Sequence, residues 1–166
     1  MKYIILFLLP LYIFSNEQRI LVTGFTIHEH TNDRFGEKYN AFNYGLGYEY
    51  SFFNDYNELY FSTNALIFND SFENPQFVVG MGHAYRFDTG VFDTAVGLSG
   101  FVGIKKIYTD SDLNRNDGDY GLTGGVGPTI SLYYENLSVN FVYIPAFSYK
   151  DIDTTGFLFT YFGYKF

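Results

Sequence analysis

Phe157-Leu158-Phe159-Thr160-Tyr161-Phe162-Gly163-Tyr164-Lys165-Phe166 is the stretch that decides the fold. Counted back in steps of two, Phe166, Tyr164, Phe162, Thr160 and Leu158 share one face of a regular strand. A terminal Phe behind alternating aromatics fits a strand whose outer face meets lipid and forms an interfacial girdle. The other face, Phe157, Phe159 and Tyr161, is apolar as well, whereas a water-filled pore needs polar residues there. The interior is therefore expected either to be filled by these rings, as in a small barrel, or to hold an apolar ligand.

Upstream, the same alternation recurs in segments separated by turn signals: Arg19 to His28, Ala41 to Ser51, Glu58 to Phe68, Gln76 to Phe87, Val91 to Lys105, Tyr120 to Tyr134 and Leu137 to Ser148, with Thr155 to Phe166 as the last. Each is long enough for the roughly 9 to 11 residues of a tilted membrane strand. The connections alternate in length. Glu29 to Asn40, Asn69 to Pro75, Ile107 to Asp119 and Tyr149 to Thr154 are longer and charged, while Phe87-Asp88-Thr89-Gly90 and Glu135-Asn136 are tight. Short turns at one end and long loops at the other predict an all-β, eight-stranded antiparallel up-and-down transmembrane β-barrel with its short turns in the periplasm. A soluble lipocalin-like barrel is the structural alternative.

Composition agrees. The 166 residues include 17 Tyr, 20 Phe and 17 Gly but no Trp, a bias toward pleated strands. Lys2 followed by the apolar run Tyr3 to Phe14 and the small Ser15 reads as an export signal over 1–15, leaving one domain over 16–166. That run is too short to span a bilayer as a helix. An exported chain without Cys has no disulfide framework, so stability must come from closure of the sheet or from a surrounding membrane. A net charge of −8 makes nucleic acid a poor partner.

The chemistry-bearing candidates gather at the loop end. His28 ends the first outward strand, and Phe68-Asn69-Asp70-Ser71-Phe72 ends the third. A histidine suits proton abstraction from a hydroxyl, a carboxylate can fix its tautomer, and a serine can act as nucleophile or as donor to an oxyanion. Asp70 and Ser71 can serve one site only if the chain turns there, which the following Glu73-Asn74-Pro75 favours. The same stretch also reads as a plain hairpin loop. His30 would share a face with His28 if the strand continued, and His83 lies mid-strand, where a structural role is expected. No metal site is expected from these histidines, and no cofactor. The acidic loop Asp110 to Asp119 resembles a calcium loop, but Arg115 stands where the glycine belongs, so a solvated loop is expected.

Taken together, these motifs resemble the lipid A palmitoyltransferase family (PagP), eight-stranded outer-membrane enzymes that move an acyl chain from a phospholipid to lipid A. Thr26-Ile27-His28 is similar to the stretch carrying the family's catalytic histidine, and Phe68-Asn69-Asp70-Ser71-Phe72 to its aromatic-bounded Asp-Ser pair. Val79-Gly80-Met81-Gly82 resembles the strand whose second glycine floors the acyl pocket, and Pro128 and Tyr143-Ile144-Pro145 resemble the prolines of a lateral lipid gate. The resemblance implies catalytic roles for His28, Asp70 and Ser71, a pocket floor at Gly82, a gate at Pro128 and Pro145, a phospholipid donor, a lipid A acceptor, and a monomer in the outer membrane. Unlike the family, the chain has no prolines at Thr23 to Phe25 or Asn40 to Asn43, where a second gate would lie. A non-enzymatic small barrel and a lipid A deacylase are the competing readings.

Overall fold

The alternating segments form ten strands, β1 (Ser15–His28), β2 (Gly45–Asn54), β3 (Leu59–Asn69), β4 (Pro75–Asp88), β5 (Asp93–Ile107), β6 (Asp119–Tyr134), β7 (Leu137–Ile144), β8 (Phe147–Tyr149), β9 (Ile152–Thr154) and β10 (Phe157–Lys165). The structure is a computed structural model that describes residues 15–33, 35–54, 58–108, 112, 114, 117–149 and 152–166. Apart from Ser15, the segment expected as an export signal lies outside these residues, as does much of the acidic stretch Asp110 to Asp119.

Eight strands close one antiparallel barrel in the order β1-β10-β7-β6-β5-β4-β3-β2, and β8 pairs with β9 in a separate hairpin. The eight segments expected from alternation are these barrel strands, with shifted ends. β2 starts at Gly45 rather than Ala41, and the seventh segment breaks after Ile144, where Pro145 supplies no ladder donor. Outward side chains are apolar and bare, with Met81, Val102 and Leu122 at 69, 65 and 82% exposure. Tyr44 and Tyr120 stand exposed at the loop end, and Tyr85, Tyr134 and Tyr164 at the short-turn end. An apolar belt with aromatic borders is a lipid-facing wall; a soluble lipocalin-like barrel could not leave it bare.

The interior has two layers. Toward the short turns lies a charged layer built on Arg19, which is 2% exposed. Its guanidinium donates to Glu17, to Glu49 at 3.4 Å, to Ser51 Oγ at 3.2 Å and to Tyr60 OH at 3.1 Å. Arg86 extends the network to Glu17 at 3.2 Å and Asp93 at 2.8 Å. Toward the loops lies an apolar layer of Leu21, Leu66, Phe68, Val78, Ile144 and Phe159, in which Phe68 and Phe159 stack with centroids 5.1 Å apart. Gly82, Ser99, Phe101, Thr123 and Gly125 also face inward on the β4–β6 side, where the Phe101 ring and Ile144 lie against Gly125.

Two junctions lose their ladder near the loops. Pairing between β6 and β7 runs from Tyr134↔Leu137 to Thr129↔Val142 and stops there, one residue short of Pro128. Beyond it the strands lie close without bonding: a Cβ at Gly127 would collide with the carbonyl oxygen of Tyr143 and lie 3.4 Å from Pro145 Cδ. Pairing between β1 and β2 stops at Val22↔Leu46, after which only the bridge Phe25↔Phe42 is formed among the described residues. Here Asn43, 1% exposed, fills the junction. The Thr23 hydroxyl donates to its carbonyl, the Thr26 hydroxyl donates to its Oδ1, and its Nδ2 donates to the Asn69 carbonyl at 2.9 Å.

Candidate active site

His28 reaches the interior because β1 slips register. Arg19, Leu21 and Thr23 point inward, so strict alternation would send Ile27 inward and His28 out to lipid. The irregularity between Thr23 and Thr26 reverses the parity: Thr26 and His28 turn inward, and Ile27 is 56% exposed. Re-aiming a side chain in this way is what β-bulges commonly do. The bulge also lays Gly24 against the Thr160 carbonyl and the Phe162 ring. Thr160, expected on the lipid face of the last strand, is consequently 1% exposed.

Ser71 meets His28 at 2.7 Å, Oγ to Nε2. The chain turns immediately after β3, as a shared site requires. Asp70 Oδ1 accepts the backbone N–H groups of Phe72 and Asn74, each at 2.9 Å, and the Asp70 N–H donates to the Asn74 carbonyl at 2.8 Å. Glu73 completes the turn at a φ of 67°. Asp70 thus shapes the loop that presents Ser71, and no bond joins it to the imidazole: Asp70 Oδ2 and His28 Nδ1 are both buried without a hydrogen-bond partner. Burial pushes the Asp70 carboxyl above the usual carboxylate range, offset in part by the Asn74 and Phe72 N–H groups and by the charge of Lys105.

The pair is roofed over. Asp70 and Ser71 were expected at an open rim, but they are 5 and 7% exposed because the first loop folds across them. The Asn40 N–H donates to the Ser71 carbonyl at 2.9 Å. Tyr39 stacks on the His28 ring with centroids 3.9 Å apart and planes 16° apart, and the Phe72 ring meets Tyr39 edge-on. Phe157, opposite His28 in the β1–β10 register, closes the other side at 5.7 Å. Tyr39 was not legible as a site residue, since in sequence it is one aromatic among many in a polar loop.

Of the remaining candidates, His30 lies beyond the end of β1 and is exposed. His83 faces outward and stacks on Phe61 at 4.4 Å, away from the interior. Pro128 and Pro145 flank the unpaired β6/β7 junction. Gly82 faces the interior, where a Cβ would lie 2.8 Å from Ser62 Oγ and 3.1 Å from Ser99 Oγ. Lys105 went unnoticed in sequence, although alternation alone places it inward with Phe101 and Gly103, because Val102 and Ile104 face lipid.

Residues 13–162 match the family of the antimicrobial peptide resistance and lipid A acylation protein PagP. The chain belongs to this family. It is an outer-membrane protein, and at family level it is a lipid A acyltransferase. No curated protein matches the sequence. Among solved structures, Neisserial surface protein A is similar at 14% identity over 91% of this chain and 96% of its own, with a TM-score of 0.49. Ail, the attachment invasion locus protein of Yersinia pestis, is similar at 12% identity over 91% of this chain and 97% of its own, with a TM-score of 0.47.

Proposed function

We propose that the chain moves an acyl chain from a phospholipid to lipid A, with His28 as general base and Ser71 as nucleophile. The observation that carries this reading is the 2.7 Å contact between His28 Nε2 and Ser71 Oγ under the first loop. The Ser71 hydroxyl donates to Nε2, which takes its proton as Oγ attacks the donor's ester carbonyl. The bond from that carbon to the glycerol oxygen breaks, and the proton on His28 passes to the leaving lysophospholipid. In the second half, His28 takes a proton from a lipid A hydroxyl, whose oxygen displaces Ser71, and Ser71 recovers the proton. One ester is lost and one is gained. Asp70 acts as a positioning residue that holds the turn, which its two backbone N–H contacts support. The donor reaches the site between β6 and β7, where Pro128 and Pro145 leave the ladder unmade. Its acyl tail lies in the apolar layer beside Gly82, and a palmitoyl-like chain is the expected cargo. The barrel works as a monomer.

Ser71→Ala and His28→Ala are expected to lower acyl transfer by about 10²–10⁴-fold while keeping heat-modifiable gel mobility, the mark of a closed barrel. The assay is lipid mass spectrometry of outer membranes with wild-type or variant protein. Loss of acylated lipid A together with an intact barrel is the expected result. Free fatty acid without an acylated acceptor would make the protein a deacylase, and an unchanged lipid profile in Ser71→Ala would remove Ser71 from the chemistry.

A further inference from the structure

Lys105 is a cation at the mouth of the barrel that feels the charge of Asp70 but forms no ion pair with it. It sits on the inward register of β5, paired across the ladder with Gly121 of β6, and between it and the β6/β7 junction the inward wall carries only Gly121, Thr123, Gly125 and Gly127. Its charge acts on both Asp70 and His28. Among the described residues it makes no hydrogen bond or ion pair: Asp70 spends Oδ1 on backbone N–H groups and leaves Oδ2 unpartnered. At the other end of the barrel, by contrast, Arg19, Arg86 and Lys165 all stand in ion pairs. In a chain of net charge −8, an ammonium held on the inward face of β5 near its loop end, with its donors bonded to nothing among the described residues, offers a place for an anion.

We propose that Lys105 binds the phosphate of the glycerophospholipid donor and thereby sets which esters reach Ser71. The inference rests on the phospholipid-donor reading above. In such a donor the acyl ester and the phosphate hang on the same glycerol, so a carbonyl at Ser71 leaves the phosphate within reach of a side chain flanking that site. A lysine acts on phosphate as a point charge and is indifferent to what is esterified beyond it. Lys105 therefore selects for the phosphodiester and not for a particular headgroup. Between the junction and Lys105 the inward residues of β6 are small, and the side chains lying over them, Ile144 and Phe101 at Gly125 and Ile107 at Gly121, are apolar, so Lys105 is the cation on that wall.

The test compares two donors with the same acyl esters, dipalmitoylphosphatidylcholine and dipalmitoylglycerol, in detergent micelles with lipid A as acceptor. Wild type is expected to prefer the phospholipid in kcat/KM. Lys105→Gln is expected to reduce that preference by about tenfold, through KM for the phospholipid, and Lys105→Arg to retain most of it. Equal losses on both donors would overturn the proposal in favour of a role toward the reacting carbonyl, and an unchanged preference would overturn it outright. Should Lys105→Gln fail to give a heat-modifiable barrel, Lys105→Met carries the same comparison. A wild-type protein that transfers from neither donor overturns the donor reading itself, a result distinct from an unchanged preference.

Discussion

The two junctions that lose their ladder near the long loops have opposite fillings. Between β6 and β7 the missing bonds are replaced by nothing: Pro128 and Pro145 have no N–H to offer, and Gly127 lets the Tyr143 carbonyl come close without bonding. Between β1 and β2 the missing bonds are replaced by a side chain, since Asn43 takes up hydroxyls from Thr23 and Thr26 and reaches across to Asn69, the residue before Asp70. Loss of backbone pairing therefore does not by itself make a portal. What decides is whether the freed polar groups find other partners, because a junction already satisfied has no reason to part.

The comparison breaks most visibly at Asn43. Asn43→Leu is expected to cost about 1–3 kcal/mol by stranding the buried Thr26 hydroxyl and the Asn69 carbonyl. Acyl transfer should fall with it, because the Asp70–Ser71 turn loses its tie to β2. The temperature of the gel-mobility shift reports the first effect and lipid A acylation the second; a stable, fully active variant would mean the filling is incidental. At the other junction the expectation is reversed. Pro128→Ala with Pro145→Ala restores two ladder donors, so the barrel should resist heat at least as well as wild type while transfer drops by about tenfold. A double variant with unimpaired transfer would place the lipid path elsewhere. The smallest effect is expected from Gly82, which touches neither junction. Gly82→Met should push aside only the Ser62 and Ser99 hydroxyls and shorten the acyl group transferred, at about 0.8 kcal/mol of binding per methylene excluded. Acyl-chain profiling of the product tests this, and an unchanged length would move the pocket floor away from Gly82.

Features that depend on period two were legible in the sequence. The eight strands and their lipid face follow from alternation and turn signals, because a membrane barrel makes each strand obey one rule, whereas Pro128, Pro145 and Gly82 stood out only through the family resemblance. Features that depend on breaking that rule were not. His28 faces inward only through the slip at Gly24-Phe25, and without it the site would lack its base. Asp70 looked like the partner of the histidine, yet its geometry turns it toward the backbone of its own loop. Asn43 sat near Asn40 and Tyr44 as ordinary loop polarity, since nothing local reveals that it would be buried against β1 and the end of β3. Lys105 was readable in principle from strand register alone.

The charged layer near the short turns bears on how the barrel is made. Arg19 and Glu17 belong to the first strand, but their partners come from Glu49 on β2, Tyr60 on β3, Arg86 on β4 and Lys165 on β10. Before the sheet curls shut, Arg19 already has Glu17 on its own strand and Glu49 on the next, and Arg86 has Asp93, but Glu17 lacks Arg86 and Lys165. Docking of the last strand on the first brings Lys165 to Glu17 and encloses the whole set. Completion of the ring is thus the event that gives Glu17 its full set of cations, and a chain arrested one strand short leaves that carboxylate without Lys165.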